Sequence, residues 1–210
     1  MKILDCVQGS DEWFRARLGM PTASQFDRIL TPARRQYAKG ATGYRNLLVA
    51  EWLLGCPVDW DGNGWTARGT ELEAEAREWY QFTTDREVVE VGMVLRADEK
   101  VGGSPDGLVG DDGGIEIKCL AAHNHVAQLL DEDDAHTGQV QGLLYLTGRA
   151  WWDLVFYNPQ IPSVIRRITP DPDYHAALDV ALTRFVRELD EAKDRLREHR
   201  REPLSMEFAA

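Results

Sequence analysis

The sequence lacks any apolar run long enough to cross a membrane, so nothing in it reads as a transmembrane helix. Cysteine is scarce: Cys6, Cys56 and Cys119 are odd in number and far apart. That argues against a disulfide framework, a zinc site or an iron–sulfur cluster and suits a reducing cytosol. The opening Met-Lys-Ile-Leu-Asp-Cys carries charge too early for a signal peptide, and a cytoplasmic location is expected. Positive charge is also short, with 24 Lys and Arg against 35 Asp and Glu and a net charge of −11. No repeat or low-complexity linker interrupts the 210 residues, so one domain over residues 1–210 with a sizeable core is expected.

What is present concentrates between Gly103 and Cys119. Leu108 and Val109 read as a short strand, Gly110 to Gly114 as a hairpin turn and Ile115 to Cys119 as the returning strand. Side chains two apart on a strand share a face. Glu116 and Lys118 therefore point one way, and Ile115, Ile117 and Cys119 point into a core. The hairpin brings Asp106 beside Glu116. Two close carboxylates repel each other unless a cation lies between them. Hard oxygen ligands suit Mg²⁺ or Mn²⁺, which can activate water and stabilise charge on a phosphoryl oxygen. Lys118 would orient or deprotonate that water, or stabilise the developing charge. Ser-Pro-Asp-Gly is equally compatible with an ordinary turn, and Glu-x-Lys with a solvated strand face.

Asp106 followed by Glu116-Ile117-Lys118 resembles the D…ExK core of the PD-(D/E)xK nucleases. Ser104-Pro105-Asp106-Gly107-Leu108 with Ile115-Glu116-Ile117-Lys118-Cys119 resembles, more specifically, the phage lambda exonuclease family, or YqaJ-type viral recombinases. The segment Gln8-Gly-Ser, Trp13, Arg17-Leu-Gly and Thr22-Ala-Ser24 is similar to that family's N-terminal signature. The resemblance implies that Arg17 and Ser24 help hold the 5′-phosphate of a DNA end, with Ser104, Trp13 and Gln139 also on the DNA-binding side. It implies a third acid at Glu73 and an active-site role for Gln141, the second glutamine of Gln139-x-Gln141. The expected metal ligands are Asp106, Glu116, Glu73 and the main-chain carbonyl of Ile117. Mg²⁺ is the expected cofactor, replaceable by Mn²⁺, at two ions per site.

The remaining chain is read as follows. Ser10 caps a helix ended by Gly19, and Thr22 with Gln25 has capping-box spacing for a second helix to about Leu30. Thr31 to Gly43 reads as a loop, and Tyr44 to Leu54 as a helix stopped by Gly55. A loop from Val58 to Trp65, containing Asp61-Gly-Asn-Gly, follows. Trp65 beside Thr66 stands near the family's duplex-splitting wedge, where a core tryptophan is equally compatible. Thr70 and Glu73 open a helix to about Phe82 on which Glu71 and Glu75 face solvent. Arg86 to Arg96 is one or two strands, and His123 and His125 are surface residues near a helix start. Thr137 to Thr147 is a helix, Trp151 to Tyr157 and Ser163 to Ile168 are strands, and Pro172 to Arg200 is a long helix.

These readings give an α/β fold with a central mixed sheet flanked by helices. By resemblance the function is a Mg²⁺-dependent exonuclease on duplex DNA ends, digesting 5′ to 3′ for recombination by strand annealing. The same resemblance implies a homotrimer ring, an annealing recombinase as partner and a phage or prophage origin. The acidity is awkward for a DNA-binding protein, but seven basic residues against one acid between Arg15 and Arg45, and the acidic run Asp131 to Asp134, allow charge to segregate. Rival readings are a different nuclease of the superfamily, such as an endonuclease, a non-catalytic DNA-end adaptor and a small-molecule hydrolase. An adaptor predicts loss of a metal carboxylate, and none of the matched ones is lost. A hydrolase leaves the Arg17/Ser24 segment unexplained.

Overall fold

The architecture is that of a computed structural model, which describes residues 1–58, 67–130 and 136–200, and side chains in them except at 67–71. The sequence readings at Asp61 to Thr66, at the Thr70 and Glu71 side chains and at Asp131 to Asp134 lie outside the described residues.

Strands β1 (Lys2–Leu4), β5 (Met93–Leu95) and β6 (Gly102–Gly103) form a small antiparallel sheet. Strands β4 (Val88–Val89), β7 (Gly107–Val109), β8 (Gly113–Lys118), β9 (Trp151–Phe156) and β10 (Val164–Ile168) form the central one, in the order β10-β9-β8-β7-β4. Only β8 and β9 run parallel there, which needs a crossover. It is supplied by α4 (Ala122–Leu129) and α5 (Thr137–Thr147). The valine-rich Arg86–Arg96 stretch thus supplies two strands, one to each sheet.

Alternation along β9 sets the two faces. Trp152, Leu154 and Phe156 join Leu143 and Leu144 of α5 and Leu178, Leu182 and Phe185 of α6 (Pro172–Arg195) in the main core. Trp151, Val155, Ile115 and Ile117 face Ala76 and Tyr80 of α3 (Ala67–Thr84). Helix α6 begins where Asp171 accepts from Tyr174 N–H and Pro172 opens the first turn. It ends at Arg195, short of the expected Arg200, with a 3₁₀ turn at Arg197–His199.

Four local readings are corrected. Gly113 and Gly114 belong to β8 and not to the turn, because the Trp151 and Trp152 rings cover them. A Cβ at Gly113 would sit 2.0 Å from the Trp151 ring. The turn is closed instead by Gly110, at φ +53. Thr22 opens a 3₁₀ helix, Ala23–Arg28, without a side-chain cap: its hydroxyl lies 3.4 Å from that of Ser24. Thr31–Gly43 holds the hairpin β2 (Leu30–Thr31) and β3 (Gln36–Tyr37) and the start of α2 (Ala41–Leu54). His125 is fully buried, its Nε2 2.9 Å from the Pro162 carbonyl, so it is no surface residue.

Candidate active site

The hairpin register pairs Gly107 with Ile115, which places Asp106, one residue before β7, opposite Glu116. Asp106 is anchored there by the Ile117 main-chain N–H, which donates to its Oδ2 at 2.6 Å. Glu116 and Lys118 share the face toward α5. Lys118 Nζ donates to Glu116 Oε1 at 2.7 Å and to Gln139 Oε1 at 3.1 Å. Gln139 Nε2 in turn donates to Glu116 Oε1 at 2.6 Å. The three side chains close a ring of hydrogen bonds that fixes the ammonium.

Gln141 is not in that ring, which corrects its expected place. Its amide accepts from Asp171 N–H at 3.0 Å and donates to the Thr169 carbonyl at 2.9 Å, holding the β10–α6 link. Residues two apart on a helix lie about 200° apart, so α5 turns only one glutamine toward β8. That one is Gln139, expected on the DNA-binding side.

Glu73 comes from α3, and its Oε1 accepts from Arg77 at 3.1 Å. Arg77 also pairs with Glu90 at 3.0 Å. Glu73, Arg77, Glu90, Asp106 and Gln8 line one cavity of about 540 Å³. Among the described residues no three His, Cys, Asp or Glu side chains converge as a ready metal cage. The donor set nevertheless fits a hard divalent cation completed by water and main-chain oxygen. Glu116 is 3% exposed, and among the described residues its Oε2 is buried without a hydrogen-bond partner. A buried carboxylate oxygen left so is costly, a cost that a cation at that oxygen would relieve.

The electrostatics agree. Burial, then the Asp106 charge, pushes Glu116 up to about 8. The same two causes push Glu73 up to about 7. Burial also raises Asp106, against the opposing pull of Lys118 and the Ile117 N–H. Burial alone would lower Lys118, but Glu116 and Asp106 outweigh it and hold the ammonium above its ordinary value. The site is short of positive charge, and Lys118 stays cationic.

A second cluster adjoins it. Arg17 donates to Ser104 Oγ at 2.9 Å and lies over the Trp13 ring, 4.3 Å from its centroid. Trp13 Nε1 donates to the same Oγ at 2.8 Å and to the Gly92 carbonyl at 3.2 Å. The structure thus joins Arg17 and Ser104, with Trp13 packed beside them at 4% exposure and its N–H donated to Ser104 and Gly92. Ser24 is exposed and stands outside these hydrogen bonds. A cavity of about 320 Å³ beside Arg17 is walled by Phe14, Leu18, Leu47 and Tyr44, with Arg28 over the Tyr44 ring.

Sequence reasoning missed Arg77 and Glu90. Their i, i+4 and cross-element pairings carry no motif, and only the spacing Glu73–Arg77 hinted at a helical ion pair. It also missed the part played by Gln8, whose Nε2 donates to the carbonyls of Val91 (2.9 Å) and Pro105 (2.8 Å).

Residues 12–150 match the sequence family described as the YqaJ-like viral recombinase domain. Among solved structures the chain is similar to an alkaline exonuclease, LHK-Exo, from Laribacter hongkongensis. The two are 33% identical over 90% of this chain and 97% of that one, with a TM-score of 0.79. The complex of LHK-Exo with dAMP aligns over the same shares with a TM-score of 0.78. A phage-related exonuclease from Haemophilus somnus 129PT shares the fold, at TM-score 0.66 and 17% identity over 84% of this chain and 96% of that one. No curated protein matches the chain. The mixed sheet flanked by helices is that of the PD-(D/E)xK-like exonucleases.

Proposed function

This chain belongs to the YqaJ-like viral recombinase family, and we propose that it digests the 5′-ended strand of linear duplex DNA, leaving a 3′ single strand for recombination by annealing. It is a DNA exonuclease by its kinship with LHK-Exo. The observation that carries the assignment of its centre is the convergence of Asp106, Glu116 and Lys118 with one Glu116 oxygen left buried and unpartnered.

Asp106, Glu116 and the Ile117 carbonyl would hold Mg²⁺, with Glu73 reaching a second ion. Bound there, a divalent ion supplies Lewis acidity toward a phosphoryl oxygen and a water of lowered pKa. Lys118, clamped by Glu116 and Gln139, orients the attacking water and offsets charge developing on the phosphodiester. Gln139 is a positioning residue: it fixes Lys118 and touches no reacting atom. Arg17, stacked on Trp13 and bonded to Ser104, receives the 5′-phosphate of the strand end. A mononucleotide product agrees with the dAMP complex of LHK-Exo.

A chain of net charge −11 is repelled by DNA at long range. A ring of three copies around the duplex answers this, holding the strand by topology, and light scattering should give three times 23.8 kDa. The setting that fits is a phage or prophage protein in the bacterial cytoplasm, beside an annealing recombinase. Among the described residues no helix is long and apolar enough to cross a membrane.

The test is linear duplex DNA labelled at either end, with Mg²⁺ or EDTA. A 5′ label should leave early as mononucleotide and a 3′ label should stay on a long single strand, with nothing released in EDTA. Cleavage of a closed circular duplex would favour an endonuclease, and binding of ends without cleavage an adaptor.

A further inference from the structure

The segment before α1 (Asp11–Arg17) places one side chain between the two clusters just described. Val7 to Ser10 is a turn closed by Ser10 N–H on the Val7 carbonyl at 3.0 Å, with Gly9 at φ +82 in its third position. A positive φ there is what a type II turn requires of glycine, and it leaves Gln8 in the second position with a set side-chain direction. The Gln8 amide spends both N–H bonds on main-chain carbonyls from distant parts of the chain. One is Val91, in the link between β4 and β5; the other is Pro105, the residue before Asp106. Trp13 makes a parallel bridge one residue along each segment, from Gly92 to Ser104. The 104–106 loop therefore carries Ser104 toward Arg17 at one end and Asp106 toward Glu116 at the other, with Gln8 pinning its middle.

We propose that Gln8 is a positioning residue for the metal-holding carboxylates, fixing through Pro105 the place of Asp106 against Glu116. The inference rests on the reading of Asp106 and Glu116 as metal ligands. Among the described residues Asp106 has one hydrogen-bond anchor of its own, the Ile117 N–H, so its distance from Glu116 depends on where the loop is held. Residues that orient metal ligands from outside typically change affinity or activity by about 10–100-fold when lost.

The test uses Gln8→Met, which keeps length and volume but loses both donors, and Gln8→Glu, which at alkaline pH sets an acceptor against two carbonyl oxygens. Mn²⁺ affinity is measured by calorimetry on the DNA-free protein, and kcat and KM on 5′-phosphorylated linear duplex. Gln8→Met should bind Mn²⁺ about tenfold more weakly and lower kcat by a similar factor, with KM within twofold. Gln8→Glu should do worse than Gln8→Met. If Gln8→Met does not fold, Gln8→Asn, which keeps the amide but shortens its reach, is expected to show the same loss. A lower melting temperature with Mn²⁺ affinity and kcat within twofold of wild type overturns the proposal, because Gln8 is then only structural. Wild-type protein that binds no Mn²⁺ overturns the metal-ligand reading and this proposal with it.

Discussion

Asp153 and Glu116 are buried carboxylates on adjacent strands, 1% and 3% exposed, yet they live in opposite circumstances. Asp153 faces α3 and is fully satisfied. Arg167 donates to both of its oxygens at 2.8 Å and Tyr80 OH adds a third bond at 2.8 Å, while Arg167 lies 3.9 Å from the Trp151 ring centroid. Glu116 faces α5 with both hydrogen bonds on one oxygen and none on the other, and Asp106 stands close enough to raise its pKa. A structural acid in this fold has its charge neutralised and its lone pairs filled. The acid of the proposed active site shares its one lysine with a neighbouring acid and has one oxygen left unfilled, a shortfall that a cation would meet.

The contrast is broken most severely by substitution in the under-satisfied cluster. Asp106→Ala, Glu116→Ala and Lys118→Ala should each lower kcat on linear duplex, counted per folded molecule, by on the order of 10³-fold, the size of several kcal/mol of lost transition-state interaction. Wild-type turnover in any one of them refutes its place in the reacting centre.

Asp153→Ala should do the reverse. Leaving the buried Tyr80 hydroxyl without its acceptor and the exposed Arg167 guanidinium without its partner costs about 1–3 kcal/mol of stability, read by urea denaturation, and turnover per folded molecule should change only a few-fold. An unchanged unfolding midpoint would show that the satisfied acid contributes nothing the sheet needs.

A smaller effect concerns pH. Carboxylates raised to about 8 (Glu116) and about 7 (Glu73) from 4.5 favour the folded, metal-free protein while protonated. Their contribution is present below about pH 4.5 and is lost as pH rises through 7 to 8. Mg²⁺ should therefore raise the melting temperature more at pH 8.5 than at pH 6, and a shift independent of pH would count against the cluster as its site. The smallest effect belongs to the Arg17 cluster. A 5′-hydroxyl end should be digested several-fold more slowly than a 5′-phosphate end, and Arg17→Ala should abolish the difference.

The hairpin, the Asp106–Glu116–Lys118 set, the Thr137–Thr147 helix and the long helix from Pro172 were legible because each is a local pattern: alternation, a cap, a proline or a short motif. The limits of β8 were not, since Gly113 and Gly114 look like turn residues until the Trp151 and Trp152 rings are seen above them. The choice between Gln139 and Gln141 depended on the rotation of α5 about its axis, which neither residue encodes alone. Asp153 with Tyr80 and Arg167 joins three elements far apart in sequence, as Gln8 joins Val91 and Pro105, and no spacing rule reaches such contacts. His125 read as a polar surface residue and is buried, its ring meeting the Pro162 carbonyl in the link between β9 and β10.

The most direct measurement is Glu116→Gln, which keeps shape and removes the charge. At pH 8.5, without metal, the variant should melt at or above the wild-type temperature, show no Mg²⁺-dependent stabilisation and have lost cleavage of linear duplex. A variant that still gains stability from Mg²⁺, or still degrades the DNA at the wild-type rate, would contradict the assignment of Glu116 as the acid left unsatisfied for a metal.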